Sequence, residues 1–130
     1  MSNPDDPAAW VNKAESDLLN IANNLNDPHI PWDTICFHAQ QAAEKMLKAF
    51  LISRGLVPPR THDLVSLLNQ CSVQQPEFAA LEEDCRMLFR YAVESRYPQA
   101  VFEPTQREGE QAVSAAHRVR DFVRTALSKS

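Results

Sequence analysis

The chain has 130 residues, 44% of them hydrophobic and 23% charged, with a net charge of −4. That length suits one domain, spanning 1–130, with a core that needs no covalent staples. The acidic balance argues against broad, sequence-independent binding to DNA or to anionic membranes, although a small basic pocket can sit on an acidic protein.

No apolar run approaches the ~20 residues needed to cross a bilayer. The opening "MSNPDDPAAW" has no basic region followed by an apolar core, so no signal peptide and a cytoplasmic location are expected. Three cysteines, Cys36, Cys71 and Cys85, are widely spaced and odd in number. Each falls on the apolar side of a predicted helix. They read as reduced core thiols, not as a disulfide framework or a metal site.

With only two glycines and no strand-like alternation, the chain reads as all-α. The first helix is predicted from about Pro7 to Leu25, with Asp6 as N-cap and Pro7 in the first turn. Its apolar stripe is Trp10, Ala14, Leu18, Ile21 and Leu25. "NDPHIP" then breaks the helix at Asp27-Pro28.

A second helix is predicted from near Asp33 to Arg54, with Gly55 where a left-handed cap is usual. After the "LVPPR" loop, Thr61 is expected to cap a short helix carrying Leu64, Leu67, Leu68 and Cys71. A fourth helix is predicted to start near Pro76, with Phe78, Leu81, Cys85, Leu88, Phe89 and Ala92 inward. It should stop before Pro98, because proline disfavours helical geometry in the preceding residue. In the last helix Thr105 and Glu108 have capping-box spacing. Its stripe is Ala112, Ala115, Val119, Phe122 and Ala126. Four long helices, one short one and brief connections predict an up-and-down bundle.

The second helix carries an unusual pattern, "CFHAQQAAEKMLKAFL" (Cys36 to Leu51). At about 100° per residue its apolar side chains sweep an arc of roughly 200°. That breadth predicts a central helix packed on several sides. His38, Gln41, Lys45 and Lys48 lie opposite the arc. Glu44 sits at its border, one turn before Lys48, in the favourable order for an ion pair. Gln40 projects into the arc. An unpaired buried amide costs about 1–3 kcal/mol, so Gln40 is expected to meet a partner on another helix or across a dimer interface.

Two further polar clusters stand out. "RTHDL" places Arg60, Thr61, His62 and Asp63 at a helix start, where backbone N–H groups favour anions, although simple capping also accounts for it. "RYAVESRYP" places Arg90, Glu94 and Arg96 with Tyr91 and Tyr97 at the end of the fourth helix. Arginine can grip phosphate bidentately, and tyrosine can stack on a base.

Trp10, Ala14, Asp17 and Leu18 in "W-x-x-x-A-x-x-D-L", then "FHAQQAAEKMLKAFL", "THDLVSLL" and "YAVESRYP" resemble, in that order, the HEPN (higher eukaryotes and prokaryotes nucleotide-binding) domain. The resemblance covers roughly residues 8 to 125. It implies a helical bundle that commonly dimerises, in a small prokaryotic protein often encoded beside a minimal nucleotidyltransferase. Such pairs resemble toxin–antitoxin or nucleotide-transfer modules. Many members are metal-independent ribonucleases that use an arginine followed, after four to six residues, by a histidine.

This chain departs from that motif. After Arg96 the residues at the histidine offsets are Val101, Phe102 and Glu103, and Arg54 precedes His62 by one residue too many. Without that imidazole the usual proton transfer at a ribose hydroxyl has no obvious agent. The expectation is therefore a non-catalytic, nucleotide-binding or accessory protein that forms a homodimer and partners a separate nucleotidyltransferase. An altered ribonuclease and a plain dimeric adaptor are the alternatives. No obligate cofactor is expected. No Glu-x-x-His pair occurs, so a carboxylate-bridged metal bundle is not expected either. The candidate ligand-binding residues are Arg96, Tyr97, Lys45, Lys48, His38, Gln40, Gln41, Glu44, His62 and Asp63. A nucleotide or RNA is the candidate ligand, with phosphate on Arg96 and a base on Tyr97.

Overall fold

In a computed structural model that describes residues 5–94 and 103–129, the chain forms five α-helices, and no strand occurs among these residues. They are α1 (Pro7–Leu25), α2 (Trp32–Ser53), α3 (Leu64–Gln74), α4 (Glu82–Glu94) and α5 (Gln106–Ser128). The all-α bundle is thus as expected, with α3 the short member. The expected stop before Pro98, together with Arg96 and Tyr97, lies outside the described residues.

Local chemistry sets the boundaries. Asp6 accepts from the Ala8 N–H at 3.0 Å and Pro7 opens α1. Gly55, with φ +77°, closes α2. Its N–H donates to the Ile52 carbonyl at 2.9 Å while the Leu56 N–H reaches the Leu51 carbonyl at 3.1 Å. Those two bonds define a Schellman cap. Thr105 and Glu108 cap α5 reciprocally.

Two boundaries differ from expectation. Asp63, not Thr61, caps α3: its carboxylate accepts from the Val65 and Ser66 N–H groups at 3.0 and 3.1 Å. The Thr61 hydroxyl instead accepts from the Asp63 N–H at 3.1 Å, fixing the turn that leads in. The segment after Pro76 is a 3₁₀ turn, Pro76–Leu81, before α4 begins at Glu82. The inward residues there, Phe78 and Leu81, are buried all the same.

As its wide apolar arc predicts, α2 packs against α1, α3, α4 and α5. Cys36, Ala39, Ala42, Ala43, Met46, Leu47, Ala49, Phe50 and Leu51 are all fully buried. Each large side chain among them contributes about 1.5–3 kcal/mol by leaving water. Phe78 links the layers, with ring centroids 4.4 Å from Phe50 and 4.8 Å from Phe122. The three cysteines are free and buried. Burial raises the thiols of Cys71 and Cys85 to about 12. The same cause raises Cys36 to about 11, a rise that a hydrogen bond with Tyr91 partly opposes.

Arginines on α5 tie the outer helices. Arg118 holds Asp84 of α4 at 2.8 and 2.9 Å. Arg120 holds Glu15 of α1 at 2.7 and 3.2 Å. The Arg120 hydrogen bond keeps the Glu15 carboxyl below its usual 4.5. A depressed folded-state pKa means that the pair stabilises the fold above the ordinary carboxylate range and stops doing so as pH falls through the folded value. Glu15→Gln should therefore lower the urea midpoint at pH 7, and the gap to the parent should close on acidification. A gap that stays constant with pH would refute this assignment.

Candidate functional site: a polar strip on α2

The residues opposite the apolar arc of α2 form a half-buried strip, not a solvated face. Glu44 and Lys48 are only 4% and 8% exposed, and Gln40 is fully buried. Asp17, projecting from α1, is also buried. Two hydrogen-bonded clusters occupy the strip.

The first cluster joins α1 to α2. One carboxylate oxygen of Asp17 lies 2.9 Å from His38 Nδ1, and the other accepts from Lys45 Nζ at 2.6 Å. An ionised carboxylate only accepts, so Nδ1 is the donor in this bond.

The second cluster centres on Glu44. Its Oε1 accepts from Gln40 Nε2 at 3.1 Å and from His62 Nδ1 at 2.8 Å. Its Oε2 accepts from Lys48 Nζ at 3.1 Å. Gln41 Nε2 donates to Gln40 Oε1 at 2.7 Å. The partners that Gln40 meets within the chain therefore lie on its own helix, which corrects the expectation of a partner on another helix. The reason is geometric: residues four apart on a helix are neighbours, and Glu44, turned inward by His62 and Lys48, brings its carboxylate to the amide.

Of the sequence candidates, the fold brings Gln40, Gln41, Glu44, Lys48 and His62 into one network and His38 and Lys45 into another. Asp63 is turned to capping α3. Lys45 and Lys48 face α1 and the segment before α3. The Tyr91 turn of α4 meets α2 near Cys36. The expected phosphate and base contacts, Arg96 and Tyr97, are outside the described residues.

Asp17 is not among the sequence candidates for the site. Its position offers a signal: it lies three residues after Ala14 and four before Ile21, inside the apolar stripe of α1. An acid there must have a partner. Trp10 reads from sequence as part of that stripe and of the family-like motif, and not as a site residue, yet Lys48 Nζ sits 5.7 Å from its ring centroid, a cation–π distance.

Chemically, the strip balances two carboxylates against two ammonium groups, with two imidazoles held by their Nδ1 atoms. Among the described residues no group of three or more His, Cys, Asp or Glu side chains is placed to hold a metal ion. No described helix is long and apolar enough to cross a membrane.

An all-helical bundle with a charged strip buried on its central helix defines the class. The chain belongs to the HEPN domain family, whose model matches residues 8–126. It is similar to ST0689, an archaeal HEPN homologue, with 25% identity over 98% of this chain and 99% of that one, at a TM-score of 0.75. It is also similar to TT1696 from Thermus thermophilus, with 30% identity over 92% of this chain and 96% of that one, at a TM-score of 0.76. No curated protein matches the sequence.

Proposed function

We propose that this HEPN protein binds a nucleotide, or a nucleotide-bearing partner, as the non-catalytic half of a two-component module with a separate minimal nucleotidyltransferase, in a toxin–antitoxin-like arrangement. It acts as a homodimer. The observation that carries this reading is the burial of Asp17, Gln40, Glu44 and Lys48 in a small bundle. Buried ion pairs add little net stability compared with apolar residues of the same volume. A strip that also presents the part-exposed imidazoles of His38 and His62 at its edge suits recognition of a polar ligand better than it suits packing.

The test combines sedimentation of the purified protein with calorimetric titration of AMP, ATP and GTP. A dimer that binds at least one of them, more weakly as salt is added because the contact is partly exposed, is the expected result. A monomer that binds none would sink the reading and leave the adaptor role ahead.

A further inference from the structure

A groove of about 640 Å³ opens where the start of α1, the last turns of α2 and the Gly55–Arg60 loop meet. Its walls include Trp10, Lys48, Ile52, Leu56, Pro58 and Arg60. Three features of this groove point the same way. It has an aromatic plane, the half-buried Trp10. It has apolar walls from the loop, whose Val57 is 91% exposed. It also has Arg60, which is exposed and forms no ion pair among the described residues.

The other cations of the neighbourhood are engaged. Lys48 is held by Glu44 and Lys45 by Asp17. The fork of Arg60 thus remains for an external anion, and a guanidinium matches phosphate in two parallel hydrogen bonds. Asp5 also lines the groove. A carboxylate there repels a second anion, which favours a ligand with one phosphate at the Arg60 end over a polyphosphate spread along the groove.

We infer that this groove is a mononucleotide site: the base lies against Trp10 and the loop's apolar wall, and the phosphate on Arg60. The inference rests on the nucleotide-binding reading and locates the phosphate on Arg60, where the sequence pattern points to Arg96. His62, half-exposed, borders the strip beside the groove through its bond with Glu44.

The probe is AMP, followed by calorimetry and by tryptophan emission. Trp32 packs against Gly109 in α5, so Trp10 and Trp32 report on different regions. AMP should alter emission saturably in the parent and in Trp32→Phe, and the signal should vanish in Trp10→Phe. Arg60→Ala should weaken AMP at least about tenfold, the loss expected for one charge-assisted hydrogen bond. Its thermal midpoint should be unchanged, because the side chain is exposed. Adenosine and inorganic phosphate should each bind at least about tenfold more weakly than AMP, since each keeps only one of the two contacts.

Phosphate binding as tight as AMP would overturn the proposal, because the indole would then have no part. AMP binding that survives Arg60→Ala but is lost in Arg96→Ala would overturn the groove and leave the nucleotide reading standing. No binding of any nucleotide would overturn both.

Discussion

Glu44→Ala should lower the unfolding free energy by about 3–5 kcal/mol, the range for removing one partner of a buried ion pair. The carboxylate serves Lys48, Gln40 and His62 at once. Lys48 is 8% exposed and Gln40 is fully buried, so both lose their partner where little water reaches them. The stranded ammonium dominates the loss. A paired replacement, Glu44→Leu with Lys48→Met, should recover most of it, because apolar residues of similar volume tolerate such sites. Urea denaturation of parent, single and double variants decides the matter. A double variant as unstable as the single one would show that the network holds the fold by geometry and not by charge balance.

Gly109→Ala should be destabilising by about 1–3 kcal/mol, the usual cost of overpacking a fitted core. Helix propensity alone gives the opposite sign, since alanine is better than glycine in a helix interior by roughly 0.5–1 kcal/mol. A Cβ at Gly109 would overlap Trp32 Cε3 and stand 2.8 Å from Cζ3 and 2.9 Å from Cδ2 of the same ring. An indole is a rigid plate that cannot fold aside, and it is anchored at the first residue of α2. The α2–α5 contact must therefore open. In a Trp32→Leu background the same change should become neutral or favourable. Denaturation midpoints of the two pairs test this, and a stabilised Gly109→Ala in the parent background would refute the close packing of α5 on Trp32.

The sequence carried the helices because their signals are local. Asp6-Pro7, Arg54-Gly55 and Thr105 with Glu108 are start and stop chemistry within a few residues, and each operates at the expected position. The wide apolar arc of α2 was equally legible, since one helix that must pack on several sides needs more than one apolar stripe. The cap of α3 lies two residues beyond the expected one because Thr61 and Asp63 are both good N-caps. Only the backbone of Asp63, extended and adjacent to Leu64, decides between them.

The site was legible as a list of residue types and not as an arrangement. His38, Gln41, Lys45 and Lys48 can be placed on one face by counting. Counting does not show that this face is covered, which follows only when α1 is laid across it and the loop before α3 folds back. Asp17 meets His38 across 21 positions and Lys45 across 28, and His62 reaches Glu44 across 18. No periodicity of one helix encodes such pairs. The sequence by itself determined the all-α class, the ends of α1 and α2 and the start of α5, the buried side of α2 and the family resemblance, because these depend on neighbours along the chain. Only the tertiary structure decided which charges are buried, which carboxylate holds which imidazole, and that Gly109 must stay small. Those outcomes depend on which helices approach, and how closely, once the core has closed.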